Sequence, residues 1–225
     1  MSNPLLSIIV PIYNEEKIVS ESLSKIFSLA LEKEVIIVND GSTDKTEEIL
    51  KEMQNRFSFL LINQKTNQGK GAAVKKGLTK ITGQYFVICD ADLEYEPNDL
   101  EKLIKEANSQ TAVFGSRFLE HRPKTFHYFI NFILTSFFNI LFGTHLTDME
   151  TCFKLIPSSS LEKINLSGRR FEIEPELTSQ ILKAGYKIKE IPISYQRRGY
   201  KDGKKINWRD GVLAIITIIK ERYTR

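Results

Sequence analysis

The chain has 225 residues, of which 41% are hydrophobic and 27% are charged. This length and composition are those of one ordinary globular domain with a substantial core, and no repeat, linker or low-complexity segment divides it. The formal net charge is only +4, so any affinity for nucleic acid or anionic lipid must depend on where the basic residues cluster.

The first half of the chain alternates short apolar runs with amphipathic segments. The apolar runs predict β-strands at residues 6–12, 35–38, 60–62, 85–89 and 112–114. The amphipathic segments predict helices after residue 14, from a cap at Ser42 or Thr43, over 69–81 and over 97–107. This alternation predicts an α/β fold, in which helices cover both faces of a mostly parallel sheet.

The second half of the chain is less regular. Its pattern predicts a long helix, a loop at 147–151, a helix near 174–184 and a basic tail. The most apolar stretch, 126–142, is interrupted by polar residues and is shorter than the roughly 20 residues that a membrane-spanning helix needs. Its apolar density exceeds that of one buried stripe, so core packing and membrane contact both remain open for this helix.

Polar residues follow three of the predicted strands. They lie at 13–15, 39–42 and 90–92. Because ligands of open parallel sheets bind beyond the carboxyl ends of the strands, we expect the functional site to lie in these loops.

Two carboxylates, Asp90 and Asp92, leave an apolar strand on the same side of the chain, and Glu94 extends the acidic edge. Carboxylates this close repel one another. A hard cation such as Mg²⁺ or Mn²⁺ relieves the repulsion and also bridges diphosphate oxygens. The structural alternative is turn and helix-cap chemistry before Pro97.

Seven motifs along the chain occur together. They are 10–16 (Val-Pro-Ile-Tyr-Asn-Glu-Glu), 38–44 (Val-Asn-Asp-Gly-Ser-Thr-Asp), 67–71 (Asn-Gln-Gly-Lys-Gly), 90–92 (Asp-Ala-Asp), 115–118 (Gly-Ser-Arg-Phe), 147–154 (Thr-Asp-Met-Glu-Thr-Cys-Phe-Lys) and 203–205 (Gly-Lys-Lys). In this order they resemble the motifs of family-two glycosyltransferases, over nearly the whole chain. The nearest likeness is to the dolichol-phosphate mannose synthase-like polyprenyl-phosphate glycosyltransferases.

The resemblance implies a nucleotide-diphospho-sugar transferase (GT-A) fold that forms a single domain over residues 1–225. Residues 1–118 would form the nucleotide-sugar-binding half, and 119–225 the acceptor-binding half with a basic C-terminal loop and helix. The implied donor-binding residues around the base, the ribose and the diphosphate are Pro11, Tyr13, Glu15, Asp40, Lys70 and Asp90. Each of them taken alone also has a structural interpretation, such as ending a strand or forming a turn.

The resemblance also implies a metal site and cationic groups for phosphate. Asp90, Asp92 and Glu94 match the family's metal cluster for Mg²⁺ or Mn²⁺, with Asp92 also catalytic, although many mannose-transferring relatives carry glutamine at the last of these positions. Arg117 matches an arginine that grips phosphate, for which a guanidinium fork is well suited. A basic loop that closes over the leaving diphosphate would contribute Arg198, Lys204 and Lys205.

That basic loop has two other interpretations. It can be a plain solvated loop, or it can bind nucleic acid. The second is disfavoured because the basic segment is short and is followed by the apolar run 212–219, whereas nucleic-acid binding needs a broad basic face. No nucleic-acid partner is therefore predicted.

The predicted activity is inverting transfer of mannose or glucose from a GDP- or UDP-linked donor to a polyprenyl or dolichyl phosphate. The acceptor phosphate is already ionised near neutral pH, so no strong base is required. By resemblance Asp148 is a further catalytic residue, which would position this acceptor. One alternative is a hydroxyl acceptor in cell-wall or surface-polysaccharide synthesis, with Asp148 as base. Another is a non-catalytic lipid-binding or scaffold protein. Asn131 stands about where relatives often place a second phosphate-binding arginine, which weakens the lipid-phosphate assignment more than the fold.

The predicted location is the cytoplasmic face of the membrane. Cys89 and Cys152 lie in apolar stretches without metal-ligand spacing, which favours a reducing compartment, and the N-terminus lacks a signal-peptide pattern. The helix at 126–142 and the basic loop at 197–205 would supply peripheral contact with the membrane surface, with a membrane partner protein as the alternative.

Overall fold

The computed structural model describes residues 5–197 and 208–224. The strands are β1 (Leu6–Ile12), β2 (Lys33–Asn39), β3 (Leu60–Asn63), β4 (Tyr85–Ile88), β5 (Thr111–Ser116), β6 (Lys154–Pro157) and β7 (Lys187–Pro192). The helices are α1 (Val19–Ser28), α2 (Thr46–Met53), α3 (Lys70–Leu78), α4 (Asp99–Lys105), α5 (Phe126–Phe142), α6 (Ile173–Lys183) and α7 (Trp208–Tyr223), with a short 3₁₀ helix at Ser158–Glu162. The five strands predicted in the first half are confirmed.

The seven strands form one sheet in the order β3-β2-β1-β4-β6-β5-β7. Pairing is parallel except on the two sides of β6, which runs antiparallel to β4 and β5. The predicted mostly parallel sheet is therefore confirmed. Because β6 and β7 come from the second half of the chain, residues on both sides of Phe118 build the same sheet. The division of labour between residues 1–118 and 119–225 stays a prediction.

Helices cover both faces of the sheet because the central strands are apolar on both sides. On β1, Leu6, Ile8 and Val10 are buried on one face, in a cluster that includes Leu23 of α1, Leu50 of α2 and Leu100 of α4. Ile9 points to the other face, in a cluster with residues of α3 and α6. Alternate strand residues thus enter different cores, as the pleat requires.

The predicted cap of the second helix is wrong. Helix α2 begins at Thr46, and Asp44 Oδ1 accepts a hydrogen bond of 3.0 Å from the Thr46 backbone N–H. Ser42 and Thr43 instead bind Asn14: the Ser42 hydroxyl accepts from the Asn14 backbone N–H, and the Thr43 N–H donates to the Asn14 side-chain oxygen. These contacts join the loops that follow β1 and β2.

Helix α5 is partly buried and partly exposed. Thr125 caps its first turn by accepting a hydrogen bond from the Tyr128 backbone N–H, and Gly143 ends it in a left-handed conformation. The helix buries a stripe that includes Leu134 and Phe138 in a cluster with α7 residues, and it exposes several large apolar side chains on its opposite face. No helix in the described parts of the chain is long and apolar enough to cross a membrane.

Candidate active site

A cleft of about 360 Å³ opens at the carboxyl ends of β1, β2, β4 and β5. Nine of the predicted site residues line it: Pro11, Tyr13, Glu15, Asp40, Lys70, Asp90, Asp92, Glu94 and Arg117. Asp148 lies behind the wall and touches Arg117. Arg198, Lys204 and Lys205 fall outside the described residues. Sequence reasoning therefore located the cleft, and the roles of these residues stay predictions.

Asp40 organises the start of α3 below the cleft. It is 3% exposed, and its carboxylate accepts hydrogen bonds of 2.8 Å from the backbone N–H groups of Gln68 and Gly69. Gly69 has a φ of +96°, and a Cβ there would lie 2.4 Å from the Arg169 carbonyl oxygen. Only glycine fits this turn, which brings the amino end of α3 to the cleft.

A buried ion-pair network supports the acidic edge. Lys70 Nζ lies 2.7 Å from Asp90 Oδ2 and 2.9 Å from Glu174 Oε1, and Lys154 Nζ lies 2.6 Å from Glu174 Oε2. Burial alone would lower the pKa of Lys70, but the two carboxylates raise it well above its usual range. The network fixes Lys70 as a cation and ties β4, β6, α3 and α6 together.

Asp92 is the most perturbed of the three predicted metal ligands. Burial, with the charges of Asp90 and Glu94, raises its pKa to about 7. Asp90 is turned toward Lys70, and Glu94 Oε2 accepts a hydrogen bond of 2.8 Å from the Tyr195 hydroxyl. Within residues 5–197 and 208–224, no three His, Cys, Asp or Glu side chains are grouped to hold a metal.

Two of these carboxylates nevertheless fit a divalent cation. Asp90 and Asp92 offer only oxygen ligands, which suit Mg²⁺ and Mn²⁺. The raised pKa of Asp92 reflects its burial first and then the negative charges of Asp90 and Glu94. A cation there would relieve the repulsion between these carboxylates.

Arg117 is held in the cleft wall by a buried carboxylate. Its Nε and Nη2 each donate a hydrogen bond of 2.7 Å to Asp148, and its backbone N–H donates a third of 3.0 Å. The Arg117 side chain is 7% exposed and that of Asp148 is fully buried. The rings of Tyr95, Phe118 and Tyr195 lie within 5.1 to 5.9 Å of the guanidinium carbon. This setting fixes the direction of the remaining guanidinium N–H groups.

Asp148 is in turn surrounded by further hydrogen bonds. Asn131 donates to its Oδ1 at 3.2 Å, and its backbone N–H donates to Glu190 at 2.9 Å. Asn131, which stands where relatives often place an arginine, therefore belongs to the support of Arg117. A carboxylate that is fully buried and accepts four hydrogen bonds is poorly placed to take a proton from an acceptor.

Sequence reasoning missed several residues at the cleft. Glu150 and Arg170 line it, and Arg170 Nε lies 3.3 Å from Asp210 at the start of α7. Glu174 and Lys154 form the network beneath it. The sequence does show Lys154 inside the apolar run 152–156 and Glu174 near the start of a predicted helix. Both patterns are also common for exposed side chains, so neither indicated a buried ion pair.

A mostly parallel sheet with a carboxylate-lined cleft beyond its strand ends is the architecture of nucleotide-sugar transferases. The family model "Glycosyl transferase family 2" matches residues 7–164. The chain therefore belongs to glycosyl transferase family 2, which confirms the resemblance that the motifs indicate.

Two relatives and one solved structure illustrate the likeness. The dolichyl-phosphate beta-glucosyltransferase ALG5A of Trichomonas vaginalis is 32% identical over 222 residues, covering 89% of this chain and 68% of the relative. The undecaprenyl-phosphate 4-deoxy-4-formamido-L-arabinose transferase of Photorhabdus laumondii is 26% identical, covering 88% of this chain and 62% of the relative.

The solved structure is glucosyl-3-phosphoglycerate synthase from Mycobacterium tuberculosis in complex with Mn²⁺, UDP and phosphoglyceric acid. It superposes with a TM-score of 0.76 at 15% identity, covering 99% of this chain and 80% of that one. At this identity the match shows the fold, and it confirms the predicted GT-A architecture.

Proposed function

We propose that this chain is an inverting glycosyltransferase that moves glucose or mannose from a nucleotide-diphosphate sugar to a polyprenyl or dolichyl phosphate. The observation that carries the proposal is the Arg117 guanidinium, which lines the cleft together with the acidic strand ends while the buried Asp148 holds its Nε and Nη2. A guanidinium held in this way suits a phosphate acceptor. Relatives named for dolichyl phosphate and undecaprenyl phosphate support the same acceptor class.

The donor would lie along the strand ends. Pro11, Tyr13 and Glu15 form one end of the cleft for the base and ribose, and Lys70 stands beside the acidic edge. The amino end of α3 also reaches the cleft, where the positive end of its helix dipole favours a diphosphate. UDP-glucose is the first donor to test, because the name of the Trichomonas relative specifies glucosyl transfer and the solved structure holds UDP.

Asp90 and Asp92 are the residues that would hold Mg²⁺ or Mn²⁺. Such a cation would neutralise the diphosphate of the donor and so stabilise the departing nucleoside diphosphate. The Mn²⁺ in the solved structure supports a metal-dependent reaction. Lys70, which is already paired with Asp90, would move between that carboxylate and the donor phosphates.

The chain's own residues would orient an in-line displacement. An oxygen of the acceptor phosphate forms a bond to the anomeric carbon, and the bond from that carbon to the diphosphate breaks, with its electron pair leaving on the nucleoside diphosphate. The configuration therefore inverts. Arg117 holds the acceptor phosphate, Asp148 positions Arg117, and the basic residues Arg198, Lys204 and Lys205 would cover the leaving group.

A lipid acceptor requires contact with a membrane surface. Helices α5 and α7 pack together and expose apolar side chains, among them Phe126 at 80%, Phe129 at 55% and Ile216 at 54%. Because α5 buries only its opposite stripe, the exposed face is free to enter the interfacial layer of a bilayer. This arrangement supports peripheral docking, and the cytoplasmic face remains part of the proposal.

The proposed function is tested by screening UDP-glucose and GDP-mannose with a short-chain polyprenyl phosphate. Release of nucleoside diphosphate should require the lipid phosphate, should stop with chelator and should return with Mg²⁺ or Mn²⁺. The Asp92→Ala variant should remain folded and inactive. A protein that binds polyprenyl phosphate but turns over neither donor under any of these conditions would instead be the non-catalytic lipid-binding alternative.

A further inference from the structure

Glu150 is a carboxyl group in the cleft that no described residue engages. It lies in the loop between α5 and β6 and lines the cleft wall. Its Oε1 is enclosed and has no hydrogen-bond partner. The residue as a whole is half-buried, so the rest of its side chain faces the cleft. A buried polar group without a partner costs about 1 to 3 kcal/mol, and such a group in a cleft points to a ligand.

Five other carboxylates of the cleft make hydrogen bonds or ion pairs within the fold. Asp90 and Glu174 hold Lys70, Asp40 accepts from the backbone before α3, and Glu94 accepts from Tyr195. Asp92 accepts from the Glu94 backbone N–H. Glu150 differs because its carboxyl makes no hydrogen bond or ion pair with the described residues, which makes a role in the fold the weaker explanation.

The surroundings of Glu150 define which part of the substrates it can meet. Burial is the main cause that raises its pKa to about 7, and Lys154 and Arg117 oppose this while Glu174 and Asp148 add to it. Glu150 lines the same cleft as Arg117 and as Glu174, which belongs to the ion-pair network with Lys70. In the proposed reaction, this is the region between the acceptor phosphate and the donor diphosphate.

The ligand chemistry follows from charge. Phosphate oxygens are anionic acceptors and would be repelled by a carboxylate, whereas sugar hydroxyls are O–H donors that a carboxyl oxygen accepts well. We infer that the Glu150 carboxyl accepts a hydrogen bond from a hydroxyl of the donor sugar and is a specificity-determining residue. The inference rests on the proposed glycosyltransferase function and deepens it.

The test compares binding of UDP-glucose with binding of UDP. Calorimetry gives both dissociation constants for wild type, Glu150→Ala and Glu150→Gln in the presence of Mn²⁺. Glu150→Ala should weaken UDP-glucose about tenfold and leave UDP unchanged, and Glu150→Gln should lose less because its amide oxygen still accepts. The control is Glu15→Ala at the nucleotide end, which should weaken both ligands by the same factor.

Deoxy analogues of UDP-glucose identify the contact. Wild type should lose about tenfold in affinity for one monodeoxy sugar, and Glu150→Ala should show no further loss with that analogue. The thermal midpoint of Glu150→Ala should equal or exceed that of wild type, whereas a residue with a structural role would lower it. If Glu150→Ala fails to fold, the deoxy profile of Glu150→Gln decides.

Three results would overturn the inference. The first is that Glu150→Ala leaves the ratio of the dissociation constants for UDP and UDP-glucose unchanged, including the case in which both rise by the same factor. The second is that the wild-type protein binds UDP-glucose no more tightly than UDP, which would rule out the sugar contact but not nucleotide binding. The third is that the wild-type protein binds none of the four ligands UDP-glucose, UDP, GDP-mannose and GDP. That result would contradict the proposed function as well as the inference.

Discussion

Asp148 either positions Arg117 or acts as a catalytic base, and replacing it with asparagine distinguishes the two roles. We expect Asp148→Asn to destabilise the protein, because it leaves Arg117 as a buried cation without its counter-charge. Removing one partner of a buried pair costs about 3 to 5 kcal/mol. Asparagine retains a hydrogen-bond acceptor, so the free energy of unfolding should fall by about 3 kcal/mol, at the lower end of that range.

This loss has a measurable size in a chain of this length. Each kcal/mol of lost unfolding free energy lowers the thermal midpoint by about 2 to 4 °C, so a loss of about 3 kcal/mol should lower it by roughly 6 to 12 °C. Adding Arg117→Met should restore part of the stability, because it removes the uncompensated cation. The matched control is Glu106→Gln, in an exposed pair with Lys189, which should change the free energy by less than about 1 kcal/mol.

The kinetic outcome distinguishes the two roles. If Asp148 positions Arg117, Asp148→Asn should raise the KM for the lipid phosphate and leave donor binding near its wild-type value. The pH–rate profile should keep its shape, since no base has been removed. An Asp148→Asn protein with wild-type stability, normal binding of both substrates and a kcat lowered by several orders of magnitude would refute this reasoning and make Asp148 the base.

Three further predictions follow from the titrating groups and the exposed helix. Because protonation of Asp92, with a pKa of about 7, competes with metal, the affinity for Mn²⁺ should weaken as pH falls below about 7; a pH-independent affinity by calorimetry would contradict this. The pKa of Glu150 rises from 4.5 to about 7 on folding, so wild type loses stability as pH rises through this window. The Glu150→Gln variant has no group that titrates in this window. Its free energy of unfolding in urea should therefore rise relative to that of wild type, by up to about 3 kcal/mol, between pH 4 and pH 8. An equal difference between the two proteins at both pH values would contradict this. Phe126, Phe129 and Phe132 of α5 are 80%, 55% and 50% exposed. Replacing all three with serine should weaken binding to anionic liposomes on the order of 100-fold and leave the thermal midpoint unchanged. Undiminished binding would exclude docking through α5.

The sequence predicted most of the first half because local pattern and tertiary environment agree there. Strand β1 is apolar on both faces, as a central parallel strand must be, and its predicted bounds match the structure. The acidic groups after β4 follow a buried strand, so their place at the sheet edge follows from the topology. In the second half β6 escaped prediction because it begins with the charged Lys154, and β7 because its apolar and charged residues alternate only weakly.

The supporting contacts of the site could not be predicted because they join distant segments. Asp148 meets Arg117 across 31 positions of sequence, and Lys154 meets Glu174 across 20. Sequence spacing carries no information about such pairs, since their geometry is set by how β6 and α6 pack on the sheet. Sequence alone therefore leaves Asp148 open between a base and a residue that positions the acceptor, and it does not indicate the contact with Arg117.

The most direct test of the account is the chemical nature of the acceptor. Wild-type protein should be incubated with radiolabelled UDP-glucose or GDP-mannose, Mn²⁺ and either a polyprenyl phosphate or the same polyprenol without phosphate, and lipid-extractable label should be measured. The account predicts label only with the phosphate, in a sugar–phosphate product of inverted configuration that Arg117→Ala forms poorly. Equal transfer to the polyprenol, or transfer to a soluble hydroxyl acceptor in preference to the lipid phosphate, would contradict it.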